Sequence, residues 1–339
     1  MSEMNKTIGL ITANYYSDAL SDATITRPLS ALPFAGRYRL IDFPLSNMVN
    51  SNISTVGLIM PFNNRSLIDH VGTGKSWGFG RKTHSLFMLP GSLYGRRSKS
   101  SIFLLRDIKD NFRFFTYDNA DYMLITASNR VYSMDYRPMI EAHANSSSPV
   151  TMLYKGNEFM DCMVADISFL RDMVDWFSNI DFMGIPELLE KYMPECPVQR
   201  YEFIGYEHII YTQHDYYEAS MDLLKETTNH MIFNSNGTIF TNIQDRCPTF
   251  FAPTAKVKNS IIAAGCTIEG DVEDSIIFRS SHIAAGASVK KSVLMQHAEV
   301  ESGADLKYFI CDKRVTITSG SKIHGTKESP FFAKKGTII

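Results

Sequence analysis

The sequence is short of most features that would place a chain in a special class. Its 339 residues contain no apolar run of the ~18–20 residues that a membrane-crossing helix needs. It has no excess of either charge: 34 Lys+Arg stand against 36 Asp+Glu, for a formal net charge of −2. That balance leaves no electrostatic footprint for a nucleic acid. Its five cysteines (Cys162, Cys196, Cys247, Cys266 and Cys311) are odd in number and never spaced C-x-x-C, which argues against a disulfide framework or a zinc site. Met1-Ser2-Glu3-Met4-Asn5-Lys6 lacks the apolar core of a secretion leader. The expectation is a reduced, cytoplasmic protein with neither nucleic acid nor membrane as partner. Glycine is not scarce, at 20 residues, but it is placed unevenly.

At about 150 residues per domain, the length predicts two domains. Over residues 1–226, apolar strand-like runs (8–12, 55–60, 122–126, 150–154 and 198–204) alternate with helical patterns. These cover 65–71, with Leu67, Ile68 and Val71 as its apolar face, then 134–143 and 214–226. Such alternation predicts an α/β domain with a mostly parallel, Rossmann-like mixed sheet covered on both faces. Residues 75–101, rich in Gly, Ser, Arg and Lys, read as a long surface loop. Residues 227–250 read as a connector.

The pattern then changes to a repeat. Val272, Val289, Leu306 and Ile323 are 17 residues apart, and Ile277, Leu294 and Cys311 keep that spacing. So do Ile283, Val300 and Ile317, and so do Gly286, Gly303 and Gly320. A preceding coil, Val257, Ile262, Ile268, is two residues shorter. This is the signature of a hexapeptide-type left-handed parallel β-helix over 251–325, in which each apolar residue stacks on its equivalent one coil away. The recurring glycine suits a turn that needs positive φ. Residues 326–339 read as a short tail.

Pro33-Phe34-Ala35-Gly36-Arg37-Tyr38-Arg39-Leu40-Ile41-Asp42-Phe43-Pro44-Leu45-Ser46-Asn47 closely resembles the P-F-G-G-K-Y-R-I-I-D-F-x-L-S-N signature of ADP-glucose pyrophosphorylases (glucose-1-phosphate adenylyltransferases). Ala120-Asp121-Tyr122, Tyr132-Ser133-Met134-Asp135-Tyr136 and Glu218-Ala219-Ser220-Met221-Asp222-Leu223-Leu224 continue the likeness. The resemblance implies a nucleotidyltransferase-like domain, a tetramer, and control by phosphorylated metabolites. The family makes ADP-glucose from ATP and glucose 1-phosphate for glycogen or starch.

That chemistry needs a close-fitting phosphate loop, a carboxylate pair on Mg²⁺ and cations against developing charge. The family's glycine-rich loop corresponds here to Ala13-Asn14-Tyr15-Tyr16-Ser17-Asp18-Ala19-Leu20, with no glycine. Leu29 stands at the family's phosphate lysine, and Asn129 and Ile209 at its two metal aspartates. The adenine segment is replaced by Gly95-Arg96-Arg97-Ser98-Lys99-Ser100-Ser101. No catalytic and no metal-binding residue is therefore assigned. The resemblance is to the family's non-catalytic regulatory subunit, which binds no cofactor itself, leaves Mg²⁺ to its catalytic partner and joins that partner in a hetero-oligomer, expected to be a tetramer. Arg27 matches a family arginine at an effector site between the domains, and Lys307 falls near a basic β-helix position; both are candidate anion contacts. The alternatives are an active nucleotidyltransferase with a rearranged site, or a sugar-phosphate-binding protein.

Three other signals are weaker. Gly72-Thr73-Gly74-Lys75-Ser76 mimics part of a P-loop, but Asp69 stands where its first glycine belongs and a helix precedes it. The basic stretch Arg81, Lys82, Arg96, Arg97 and Lys99 reads as a solvated loop. His282, His297 and His324 invite comparison with β-helix acyltransferases, whose helices are longer than four coils.

Overall fold

The computed structural model describes residues 6–13, 20–80, 84–92, 103–115 and 119–339. Seven strands form the sheet of the first domain: β1 (Thr7–Thr12), β2 (Thr55–Met60), β3 (Ser85–Pro90), β4 (Tyr122–Ala127), β5 (Val150–Lys155), β6 (Glu158–Asp166) and β7 (Val198–Glu202), in the order β7-β5-β6-β4-β1-β2-β3. β1 lies inside the sheet, parallel to both neighbours, with Leu10 opposite Gly57 on one side and Ile125 on the other. β1, β2 and β4 are buried almost throughout, as continuous apolar runs covered on both faces require. β6 runs against β4 and β5 and makes the sheet mixed.

Several local expectations are corrected. β3 lies inside the stretch read as a loop; its partly exposed SLFMLP pairs with β2 along the edge of the sheet, a long-range partner that its composition does not announce. Arg81, Lys82, Arg96, Arg97 and Lys99, with the whole adenine-segment replacement and residues 14–19, lie outside the described residues. Helix Arg65–Val71 buries Leu67, His70 and Val71, whereas Ile68 is 44% exposed. The expected 134–143 helix begins only at Arg137 and runs to Ala144; the residue before it, Tyr136, is fully buried. The 214–226 helix is two: Gln213–Asp222, opened by a reciprocal Thr212/Asp215 cap, and Glu226–Phe233. The connector therefore starts with a helix. Its remainder is sewn onto the first domain by Phe240 N donating to Ser46 Oγ (2.8 Å) and Asn242 Nδ2 donating to the His70 carbonyl (2.9 Å).

The left-handed β-helix has three five-stranded parallel sheets. Val272 pairs with Val289, Val289 with Leu306 and Leu306 with Ile323; the other inner columns keep the same register. The three repeating glycines do hold positive φ, 77°, 74° and 72°. Two further corners use the same left-handed turn without a glycine repeat: Asn259, Asp274, Lys291 and Tyr308 at one, and Gly265, Ser280, His297 and Arg314 at the other. The stretch read as a tail is part of the stack. Phe331–Ala333 pairs with Phe309–Cys311, and Ile339 N donates to the Thr316 carbonyl (2.9 Å).

One sheet of the β-helix is apolar on both faces. Ile277, Leu294 and Cys311 point inward, while Ile276, Val293 and Ile310 belong to the same fully buried cluster as Leu29, Phe34 and Tyr216 of the first domain. Burial of each such aliphatic side chain contributes roughly 1.5–3 kcal/mol, so this column docks the β-helix on the α/β domain. Tyr217 OH donating to the Lys291 carbonyl (2.9 Å) and Gln213 Nε2 donating to the Pro330 carbonyl (2.7 Å) orient it.

Candidate functional site at the ends of the central strands

In an open α/β sheet, ligands bind outside the carboxyl ends of the strands. Here β1 ends at Thr12 and β4 at Ala127, and Ser128 Oγ donates to the Thr12 carbonyl (3.0 Å) to tie the two ends together. A short ladder follows, in which Arg130–Tyr132 pairs antiparallel with Glu207–Ile209. The ladder sets Ile209 opposite Arg130, and Ile210 N donates to the Asn129 carbonyl (2.8 Å). The two positions singled out as metal-ligand replacements, 80 residues apart in sequence, are thus brought together at the end of β4.

Their chemistry does not suit a divalent cation. Asn129 is fully buried, and neither atom of its amide has a hydrogen-bond partner among the described residues. Ile209 offers only hydrocarbon. The next residue along the chain brings a positive charge: the guanidinium of Arg130, itself 2% exposed. It donates to Glu207 through Nη1 (2.6 Å) and to Glu158 and the Phe159 carbonyl through Nη2 (2.6 and 3.1 Å), while Nε faces Asp161 at 3.8 Å. Burial opposes its charge, but Asp161, Glu158 and Glu207 outweigh burial and raise its pKa. Mg²⁺ takes six oxygen ligands in octahedral geometry, one or two of them carboxylates, whereas the two candidate positions hold an amide and an isoleucine and the neighbouring carboxylates converge on a fixed cation. Leu29 lies in the apolar core, 1% exposed, and aims no charge at a phosphate.

The domain junction holds a second cluster, of cations. Arg27 is 3% exposed; Nε donates to the Ala23 carbonyl (2.9 Å) and Nη2 forms an ion pair with Asp312 of the β-helix. Arg39 donates to the Ser66 carbonyl (2.6 Å); burial, with Arg27 and Arg279 nearby, brings its pKa down to about 10. Burial, Arg39 and Arg27 bring the Lys313 ammonium down to about 7. Beside this cluster a cavity of about 580 Å³ opens between the domains, lined by Gly36, Arg37, Phe233, Ile243, Ala263 and Arg279 among others. The structure does not set the two candidate anion contacts side by side. Arg27 is already neutralised by Asp312, whereas Lys307 ends a strand of another β-helix sheet, its Nζ 5.5 Å from the centre of the Tyr308 ring.

Sequence reasoning missed Asp312, although the repeat contained the signal. Phe278, Met295 and Asp312 share the 17-residue spacing, and a charge in an otherwise apolar column needs a buried partner. The carboxylates around Arg130 had no such signal, because only the folded sheet assembles them.

The β-helix histidines serve the coil surface. His282 lies 3.1 Å from Glu299 and 3.6 Å from Glu269, and His324 lies 2.8 Å from Asp305. Gly72–Gly74 is the turn after a helix, leading to the Lys75–Trp77 turn, and no strand runs into it as a P-loop requires.

Residues 16–159 match the nucleotidyl transferase family, and residues 251–330 match the GlmU-like C-terminal hexapeptide family. The chain is 36% identical over 334 residues to the glycogen biosynthesis protein GlgD of Bacillus subtilis (strain 168), covering 98% of this chain and 97% of that protein. It is 34% identical to GlgD of Geobacillus stearothermophilus over the same shares. Identity to the glucose-1-phosphate adenylyltransferase of Geobacillus stearothermophilus is 28%, over 84% of this chain and 83% of that one. Among the described residues no helix is long and apolar enough to cross a membrane.

Proposed function

Because the chain belongs to the GlgD family of glycogen biosynthesis proteins, we propose that it is a regulatory, non-catalytic subunit of glucose-1-phosphate adenylyltransferase. It acts in the cytoplasm, assembling with a catalytic subunit into a heterotetramer and raising the rate at which ATP and glucose 1-phosphate become ADP-glucose and diphosphate. The observation that carries this reading is the end of β4, where Asn129 and Ile209 stand together beside a caged arginine. A chain retained for catalysis would hold a carboxylate pair there. Mg²⁺ then belongs to the partner's site, and this chain contributes contacts that bias the partner toward its more active state.

Control by a phosphorylated metabolite fits the cationic domain junction, where Arg39, Lys313 and Arg279 stand around the neutralised Arg27. Lys307, with Lys291 on the same Tyr308 ring, offers a separate and more exposed contact.

The test is diphosphate release by the purified chain, by a catalytic subunit from the same organism, and by the mixture. The expected result is no turnover above background for this chain alone, a complex by size exclusion, and a several-fold higher kcat for the mixture. Turnover by the isolated chain, or a mixture no faster than the catalytic subunit alone, would reject the proposal.

A further inference from the structure

Arg130 joins three separate segments. Its own backbone belongs to the short ladder after β4, Glu207 comes from the opposite ladder strand, and Glu158, Phe159 and Asp161 come from β6. Lys155, at the end of β5, also reaches this group, 3.8 Å from Glu207. The guanidinium is almost completely buried, while Glu158 is 60% exposed and Glu207 12%. Asp161 holds a left-handed φ of 51°, a conformation that an aspartate keeps only when its surroundings define it.

We propose that the Arg130 guanidinium is a built-in substitute for the divalent cation of this fold: it neutralises the carboxylates at the end of β4 and clamps the ladder to the main sheet, so that this end of the cleft keeps a cation-loaded shape with neither ion nor nucleotide. The proposal rests on the non-catalytic reading and adds to it the means by which the emptied site stays ordered. A metal ion would gather oxygen atoms around a point. A guanidinium instead spreads its N–H donors in a plane, which suits carboxylates arriving from different strands. The exchange trades an equilibrium with Mg²⁺ and substrate for a permanent contact.

The experiment compares the full-length chain with Arg130→Met and Arg130→Lys. Melting temperatures are taken between pH 5.5 and 7.5, with and without 5 mM Mn²⁺ in place of Mg²⁺. Removing the guanidinium takes away the cation on which Glu158, Asp161 and Glu207 converge, which raises their pKa values in the folded state. Stability that depends on such raised groups is lost as pH rises. The deficit of Arg130→Met is therefore expected to be largest at pH 7.5, about 10 °C, and to shrink by half or more at pH 5.5. Arg130→Lys, keeping the charge without the fork, is expected to lose less than half as much and to show little pH dependence.

A deficit in Arg130→Met that is the same at both pH values would mean that the arginine only fills space, and would overturn the proposal. Should that variant not fold, the wild-type protein decides. Electron paramagnetic resonance of Mn²⁺ is expected to show no binding below 1 mM, and sub-millimolar binding abolished by Glu207→Gln would overturn the proposal. Loss of partner activation in the mixing assay, by contrast, would reject the regulatory reading while leaving the clamp standing.

Discussion

Asp312 and Arg27 form an ion pair across 285 residues of sequence, with side chains 2% and 3% exposed, at the seam between the α/β domain and the β-helix. Removing one member of such a pair strands the other charge in a low-dielectric place, which costs about 3–5 kcal/mol. Asp312→Met is the cleanest perturbation, because the equivalent positions one and two coils earlier are Met295 and Phe278 and the side chain fits an apolar column. Among the described residues Arg27 then keeps only the Ala23 carbonyl, and Lys313 loses its nearby counter-charge. Urea unfolding followed by circular dichroism should show a loss of about 4 kcal/mol for Asp312→Met and a similar loss for Arg27→Met. Arg27→Met/Asp312→Met should recover to within about 1 kcal/mol of wild type, since hydrophobic replacement of a whole buried pair is often neutral or stabilising. Single variants within 1 kcal/mol of wild type, or a double variant as costly as both singles added, would refute the reasoning.

Other perturbations follow from the same structure. Ile276→Ala, Val293→Ala and Ile310→Ala empty the docking column without touching the inner stack, and each should cost about 2–4 kcal/mol by urea unfolding. Lys313→Met should stabilise at pH 7 and below. The wild-type ammonium has a folded pKa of about 7 against about 10.4 in the unfolded chain, so wild-type stability rises with pH between those values and the variant's advantage shrinks toward pH 10; melting curves at pH 6, 8 and 9.5 check this. Gly303→Ala forces a side chain into φ 74° and should cost about 1–2 kcal/mol, while Lys291→Gly at the φ 48° corner should be neutral or stabilising. Asn129→Asp/Ile209→Asp restores both carboxylates but leaves Arg130 beside them, and should yield no measurable diphosphate release.

The β-helix was legible because repetition is its own evidence: inner columns separated by 17 residues cannot stack otherwise, and the glycine repeat marks one of the three corners. The other two corners were hidden, since Asn, Asp, Ser, Lys and Tyr take the same left-handed turn at some cost and advertise nothing. The docking face was half-visible, as consecutive apolar residues at 276–277, 293–294 and 310–311 where the other sheets alternate apolar with polar. The candidate site was legible only as a set of losses. Leu29, Asn129 and Ile209 announce what is no longer there, and nothing local announces what took its place.

By itself, then, the sequence determined the two architectures, the repeat that builds the second and the family signature, because each depends on residues near one another along the chain. Only the tertiary structure decided that β6 runs antiparallel, that 85–90 is an edge strand, that Arg130 is caged by carboxylates from two other strands, and that Asp312 claims Arg27. Those outcomes depend on which distant segments meet. Burial then forces each charge brought to the meeting point to find a partner there.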